Sequence, residues 1–144
     1  MLFTDIDVLR ADGTLLTGQY VAIREGRIVH IGKSVPTDDW GEIVDGKDRL
    51  LLPGFYNAHT HAAMTLMRGY GEGLPLDRWL YERIFPFEEK LTGEDIYWGT
   101  QLGIAEMLST GTVSFSDMYY HCERVAQAVL DSGLKANIGQ SVSC

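Results

Sequence analysis

Leu51-Leu52-Pro53-Gly54-Phe55-Tyr56-Asn57-Ala58-His59-Thr60-His61 is an apolar run that closes on two histidines one residue apart. Strand side chains alternate with a period of two, so a strand here turns His59 and His61 to the same face. Neutral imidazoles side by side at a strand end make half of a transition-metal site, since imidazole nitrogen suits Zn, Fe and Ni. The spacing is equally met by a plain pair of surface or core histidines. The surrounding residues decide between the two.

The bulk numbers bound the answer. A chain of 144 residues can form one ordinary domain and bury a fair core. With 45% hydrophobic and 22% charged residues it is globular in composition, not disordered. A net charge of −8 argues against nucleic acid or an anionic membrane as partner, because phosphate binding needs clustered Lys and Arg. No apolar run approaches the roughly 20 residues of a membrane span. Met1-Leu2-Phe3-Thr4-Asp5 lacks the positive start of a signal peptide. Cys122 and Cys144 are the only cysteines, so no disulfide framework is implied and a cytoplasmic location is expected.

Working outward from the histidines, the first fifty residues read as β-rich. Residues 20–24 and 27–31 flank Glu25-Gly26, a hairpin turn, and residues 3–9 form an earlier strand followed by a turn at Asp12-Gly13. Asp45-Gly46 marks a further turn before residues 49–52. Beyond the histidines comes a short helical or loop stretch, then the glycine-rich Gly69-Tyr70-Gly71-Glu72-Gly73. A helix is predicted from 75 or 76 to 85, with Leu76, Trp79, Leu80 and Ile84 on one face and Pro86 ending or kinking it. Thr92 and Asp95 resemble a capping box that opens a helix to about Thr110, with Trp98, Leu102, Ala105 and Leu108 inward and Gly111 as the stop. A strand over 112–119, a helix over 122–132 capped by Gly133, and a third strand over 135–142 follow. Strands alternating with helices of this size argue for a parallel α/β barrel. His59 and His61 then lie at the C-terminal end of its first strand, where barrel active sites are built.

Two nucleotide-like patterns fail. Gly41-Glu42-Ile43-Val44-Asp45-Gly46-Lys47-Asp48 nearly matches a P-loop, but Asp48 replaces the required Ser or Thr and an apolar strand follows where a helix is needed. Gly69-x-Gly71-x-Gly73 lacks dinucleotide spacing and reads as a flexible loop, one that could cover a substrate.

Three blocks carry a family likeness: Pro53-Gly54 four residues ahead of His59-Thr60-His61, then Met67-Arg68-Gly69, then Trp79-Leu80 with Pro86-Phe87-Glu88. Through them most of the chain resembles the amidohydrolase superfamily, and within it the 5-methylthioadenosine/S-adenosylhomocysteine deaminase and chlorohydrolase-like branch. The resemblance implies an α/β fold: the N-terminal part of a metal-dependent (β/α)8 TIM barrel preceded by strands of a small β-sandwich domain. Residues 1–52 would supply the sandwich strands and residues 53–144 the first βα units of an incomplete barrel. A whole barrel takes roughly 250 residues, so the chain is expected to be part of a larger enzyme and inactive alone.

The resemblance also implies roles. His59 and His61 would hold one divalent metal ion, Zn first, with Fe and Mn compatible with the same ligands. Two further histidines, an aspartate and the catalytic acid/base groups would come from strands beyond this sequence, so no catalytic residue is assigned here. Glu88 would accept hydrogen bonds from the ribose 2′- and 3′-hydroxyls, which suits an ionised carboxylate. A solvated charge beside Glu89 and Lys90 is the plain alternative. Trp79 would lie near the substrate pocket, although an indole on an apolar helix face is more often core. His121 falls in a βα loop on the same end of the barrel, where it could touch substrate or support the pocket. His30 reads as a surface histidine, and a buried Asp117 would need a partner. Gln140 aligns where some relatives place an Arg that meets a carboxylate on the homocysteine arm, and a neutral amide cannot form that bidentate pair.

The implied activity of the full enzyme is hydrolytic deamination at C6 of an adenosine-type nucleoside: 5′-methylthioadenosine, S-adenosylhomocysteine or adenosine. The first alternative is deamination or chlorohydrolysis of another heterocycle, such as guanine, cytosine or a triazine. Glu88 discriminates here, because a base-only substrate has no diol to satisfy it. The second is a non-catalytic fragment that self-associates through exposed barrel edges. A homo-oligomer is left open for the full-length form.

Overall fold

Two units make up the computed structural model, Met1–Pro53 and Gly54–Cys144. It describes residues 1–140.

The first unit is a sheet of five strands: β1 (Leu2–Leu9), β2 (Leu15–Arg24), β3 (Arg27–Gly32), β4 (Ile43–Asp45) and β5 (Leu50–Leu51). Its order is β3-β2-β1-β4, with β5 also paired to β1. The β2–β3 hairpin turns at Glu25 and Gly26, whose φ values of 51° and 70° give the left-handed pair that a two-residue hairpin requires. Ile6, Val8 and Val21 form the buried centre. At the Asp45-Gly46 turn, a Cβ on Gly46 would lie 2.5 Å from the Ile6 Cβ, so close approach is what demands glycine there. The P-loop-like run crosses β4, and no helix follows it.

The second unit carries the histidines. Strands β6 (Phe55–Thr60), β7 (Thr112–Tyr119) and β8 (Lys135–Gln140) form a parallel sheet in the order β6-β7-β8. Parallel neighbours require crossovers, and helices supply them. After β6 comes a 3₁₀ helix, Ala62–Met67, and then a continuous helical run: α1 (Leu76–Trp79), a π turn (Leu80–Ile84) and α2 (Phe85–Glu88). Helix α3 (Gly93–Ser109) precedes β7, and α4 (Cys122–Ser132) precedes β8. The core packs Phe115, Ile104 and Met107 with Ala62 and Ala128 in one cluster, and Tyr119, Ile84, Ile96 and Val125 with Ala63 in another. No helix among the described residues is long and apolar enough to cross a membrane.

The element bounds of β7 and α4 agree with the sequence reading, and Gly133 closes α4 at a φ of 73°. Thr92 and Asp95 form the anticipated capping box, each side chain meeting the other residue's backbone N–H. The remainder of the third predicted strand, Ser141 and Val142, lies outside the described residues.

Three expectations are corrected. Pro86 does not stop its helix, because the π turn ends just ahead of it. The run changes its winding at the proline instead of ending, with the π turn directly ahead and Pro86 in the first residues of α2. Leu76 is exposed, so the inward face of that run begins at Trp79 and centres on Ile84. On α3 the predicted face is inverted: Trp98, Leu102, Ala105 and Leu108 point outward, while Ile96, Gly99, Thr100, Gly103, Ile104 and Met107 are buried. The two glycines let the helix backbone approach the 3₁₀ helix so closely that a Cβ would sit 2.7 Å from the Ala63 carbonyl at Gly99 and 3.0 Å from that of Ala62 at Gly103.

Candidate active site

Strand β6 presents His59 from its last turn of pleat, and His61 follows at the mouth of the 3₁₀ helix. Their rings meet edge to face with centroids 5.1 Å apart. The His61 Nδ1 lies 2.7 Å from the carbonyl oxygen of Met118 on the neighbouring strand. A carbonyl can only accept, so Nδ1 carries the proton and Nε2 of the neutral ring keeps its lone pair. A hydrogen bond from the far ring nitrogen to a carbonyl is the usual way a metal-binding imidazole is fixed in tautomer and orientation. The donor set thus fits a divalent transition ion held by two imidazoles. Among the described residues no group of three or more His, Cys, Asp or Glu side chains could hold a metal.

One residue before Met118, the buried Asp117 sits behind the histidines. Its Oδ2 accepts from the Ala62 N–H at 3.3 Å, whereas Oδ1 is buried and has no hydrogen-bond partner among the described residues. Burial pushes its carboxyl above the usual range, with the Ala62 N–H and the nearby His61 pulling the other way. One residue after Met118, the Tyr119 hydroxyl donates to Glu88 Oε1 at 2.7 Å. Burial and the Glu88 carboxylate together push that phenol well above its ordinary range, so it stays a donor. A small cavity of about 130 Å³ includes His61, Glu88 and Tyr119 in its wall. The two residues singled out for metal and for sugar therefore face one space.

The weaker candidates are placed as follows. Glu88 also borders a larger cavity of about 430 Å³, shared with Phe85, Leu91, Tyr120 and His121. His121 is left-handed, at a φ of 50°, directly before α4, and its Nδ1 lies 3.5 Å from Glu123. Trp79 belongs to neither cavity wall. Its indole N–H donates to the Tyr70 carbonyl at 3.3 Å, and its ring packs where a Cβ on Gly71 would lie 3.1 Å away, which ties down the glycine-rich loop. Gln140 ends β8 in register with Tyr119. Tyr119 was not singled out from the sequence. The signal for it is period two along β7, which buries Phe115, Asp117 and Tyr119 on one face.

The amidohydrolase family model matches residues 50–142. The chain belongs to the amidohydrolase family. A 5-methylthioadenosine/S-adenosylhomocysteine deaminase of Acetivibrio thermocellus is 46% identical to this amidohydrolase over 95% of the chain and 32% of the relative. The chain spans about a third of the length of the curated relatives it matches. Among solved structures, an adenosine deaminase from Xanthomonas campestris with bound zinc superposes with a TM-score of 0.81 at 34% identity, over 94% of this chain and 32% of that one. The zinc complex of atrazine chlorohydrolase from Arthrobacter aurescens gives a TM-score of 0.84 over 96% of this chain and 35% of that one. At 19% identity that second likeness concerns the fold alone. The fold is accordingly the N-terminal part of a metal-dependent (β/α)8 barrel with its preceding sheet.

Proposed function

We propose that the gene product containing this chain is a metal-dependent aminohydrolase that deaminates an adenosine-type nucleoside in the cytoplasm. The observation that carries the reading is the shared wall of the small cavity, where His61 of the histidine pair and Glu88 meet. His59 and His61 would hold one divalent ion, with zinc first, as in the zinc-bound relatives. When bound, such an ion makes water acidic enough to serve as nucleophile near neutral pH. The chain's own residues do the rest of what is assigned here. Met118 fixes the His61 ring, and Glu88, held by the Tyr119 hydroxyl, would accept the ribose hydroxyls. Residues 1–52 and 53–144 act as a supporting β domain and as the opening units of the barrel.

Gln140 bears on the choice of nucleoside. A neutral amide at the end of β8 offers no ion pair to a homocysteine carboxylate, which favours 5′-methylthioadenosine or adenosine over S-adenosylhomocysteine. A base-only substrate would bring Glu88 no diol and leave the Tyr119 hydroxyl as its donor, which weighs against guanine, cytosine and triazines.

The test is ammonia release from 5′-methylthioadenosine and adenosine by the purified gene product, with metal content measured on the same sample. Turnover with near-stoichiometric metal is expected, and His61→Ala should lose both by more than about a hundredfold, as metal ligands are not replaceable by solvent alone. Stoichiometric metal without turnover of either nucleoside would overturn the substrate assignment.

A further inference from the structure

The geometry points to Tyr119 as a positioning residue whose hydroxyl holds the Glu88 carboxylate ready for the two vicinal hydroxyls of the substrate sugar. This rests on the reading of Glu88 as the sugar-binding carboxylate. Glu88 closes a helical run, and its side chain has three rotatable bonds. Freezing such a side chain only when substrate arrives costs rotamer entropy. Tyr119 removes that freedom beforehand.

Several observations support the assignment. The Tyr119 ring is 4% exposed and packs with Ala63, Ile84, Ile96 and Val125, so it is rigid. Its single proton is committed to Glu88 Oε1 at 2.7 Å, a charge-assisted bond. An ionised carboxylate has about four acceptor positions, so roughly three remain for incoming O–H donors. Tyr119 has no spare donor to compete with them.

Strand β7 also links this carboxylate to the histidine pair. Consecutive residues serve each: the Met118 carbonyl accepts the His61 Nδ1–H, and the Tyr119 hydroxyl donates to Glu88. The Tyr119 ring lies 6.2 Å from that of His61, tilted by 37°. One strand end thus sets the spacing between the metal-binding group and the hydroxyl-binding group. A tyrosine that merely filled the core would affect every substrate alike, whereas a positioning residue affects only substrates that use Glu88.

The experiment uses the metal-loaded gene product with adenosine and with 2′,3′-dideoxyadenosine, which lacks both hydroxyls. Tyr119→Phe should raise KM for adenosine about tenfold, the effect of losing one charge-assisted hydrogen bond, and move KM for the dideoxy nucleoside less than twofold. Glu88→Ala should raise KM for adenosine more steeply, and adding Tyr119→Phe to it should change nothing further. Equal effects of Tyr119→Phe on both nucleosides would overturn the inference while leaving Glu88 in place. Failure of Glu88→Ala to alter the ratio of the two KM values would overturn the Glu88 reading and this inference with it. Should Tyr119→Phe not fold, 3-fluorotyrosine at position 119 keeps the shape and changes the donor. An adenosine KM unchanged relative to the dideoxy KM would then count against the inference.

Discussion

Helices α3 and α4 flank β7 and reach the same core by opposite means. In α4 the buried residues are Val125 and Ala128, while Glu123, Gln127 and Asp131 face solvent, an ordinary amphipathic division. In α3 apolar residues occupy both faces. The inward one is chosen by its small residues, Gly99 and Gly103, which let the backbone settle onto the carbonyls of Ala63 and Ala62. Thr65 reinforces that approach by donating from its hydroxyl to the Gly99 carbonyl at 2.7 Å. The amphipathic division therefore marks the core face of α4, whereas on α3 large side chains mislead because its backbone touches a neighbour. The 3₁₀ helix that α3 grips begins at Ala62, next to His61, so this close packing also seats the histidine pair.

The comparison breaks most readily at Gly99. A Gly99→Leu side chain must displace the Ala63 carbonyl, and the loss should be about 3 kcal/mol even after the roughly 1 kcal/mol that leaving glycine adds to helix propensity. Urea denaturation followed by circular dichroism reads it. A loss below about 1 kcal/mol would mean the two backbones do not meet. On the α4 side the cost is set by volume alone: Val125→Ala should lower stability by about 2 kcal/mol, the usual penalty for a small buried cavity. If Val125→Ala exceeded Gly99→Leu, the contrast between the two helices would be reversed. Thr92→Ala sharpens the comparison at the helix start, since α3 has a capping box whereas His121 gives α4 no side-chain cap. The expected loss is about 1 kcal/mol, and the corresponding His121→Ala change should be smaller.

What could be read from the sequence follows the same division. Thr112–Tyr119 and Cys122–Ser132 were legible because glycines at 111 and 133 punctuate them and their patterns are unambiguous. The spacing picked out the histidine pair, but β6 ends at Thr60, so the 5.1 Å approach of the two rings depends on the turn into the 3₁₀ helix as well as on strand alternation. The π turn before Pro86 was not, since a proline in a helical pattern ordinarily signals an end. The Tyr119–Glu88 bond was not legible either. Its partners are 31 residues apart on different elements, and no local period relates them. Asp117 was flagged as a carboxylate in need of partners. The fold supplies it the Ala62 N–H and leaves the other oxygen without a donor among the described residues.

The smallest effect is the most diagnostic for α3. Trp98 is the largest side chain on the helix, and the sequence pattern places it in the core, yet it is 59% exposed. Its indole N–H donates to Glu94 at 2.7 Å, and its ring meets Tyr97 edge to face at 5.0 Å, so its partners lie on its own helix. Local contacts of this kind contribute a few tenths of a kcal/mol. Trp98→Ser should therefore shift stability by no more than about 0.5 kcal/mol, against the 3–5 kcal/mol expected when a buried tryptophan is truncated. The two magnitudes are far enough apart for a single denaturation curve to separate them. A loss near the larger value would return Trp98, and with it Leu102 and Leu108, to a buried face, and the glycine face would lose its claim to be the inner one.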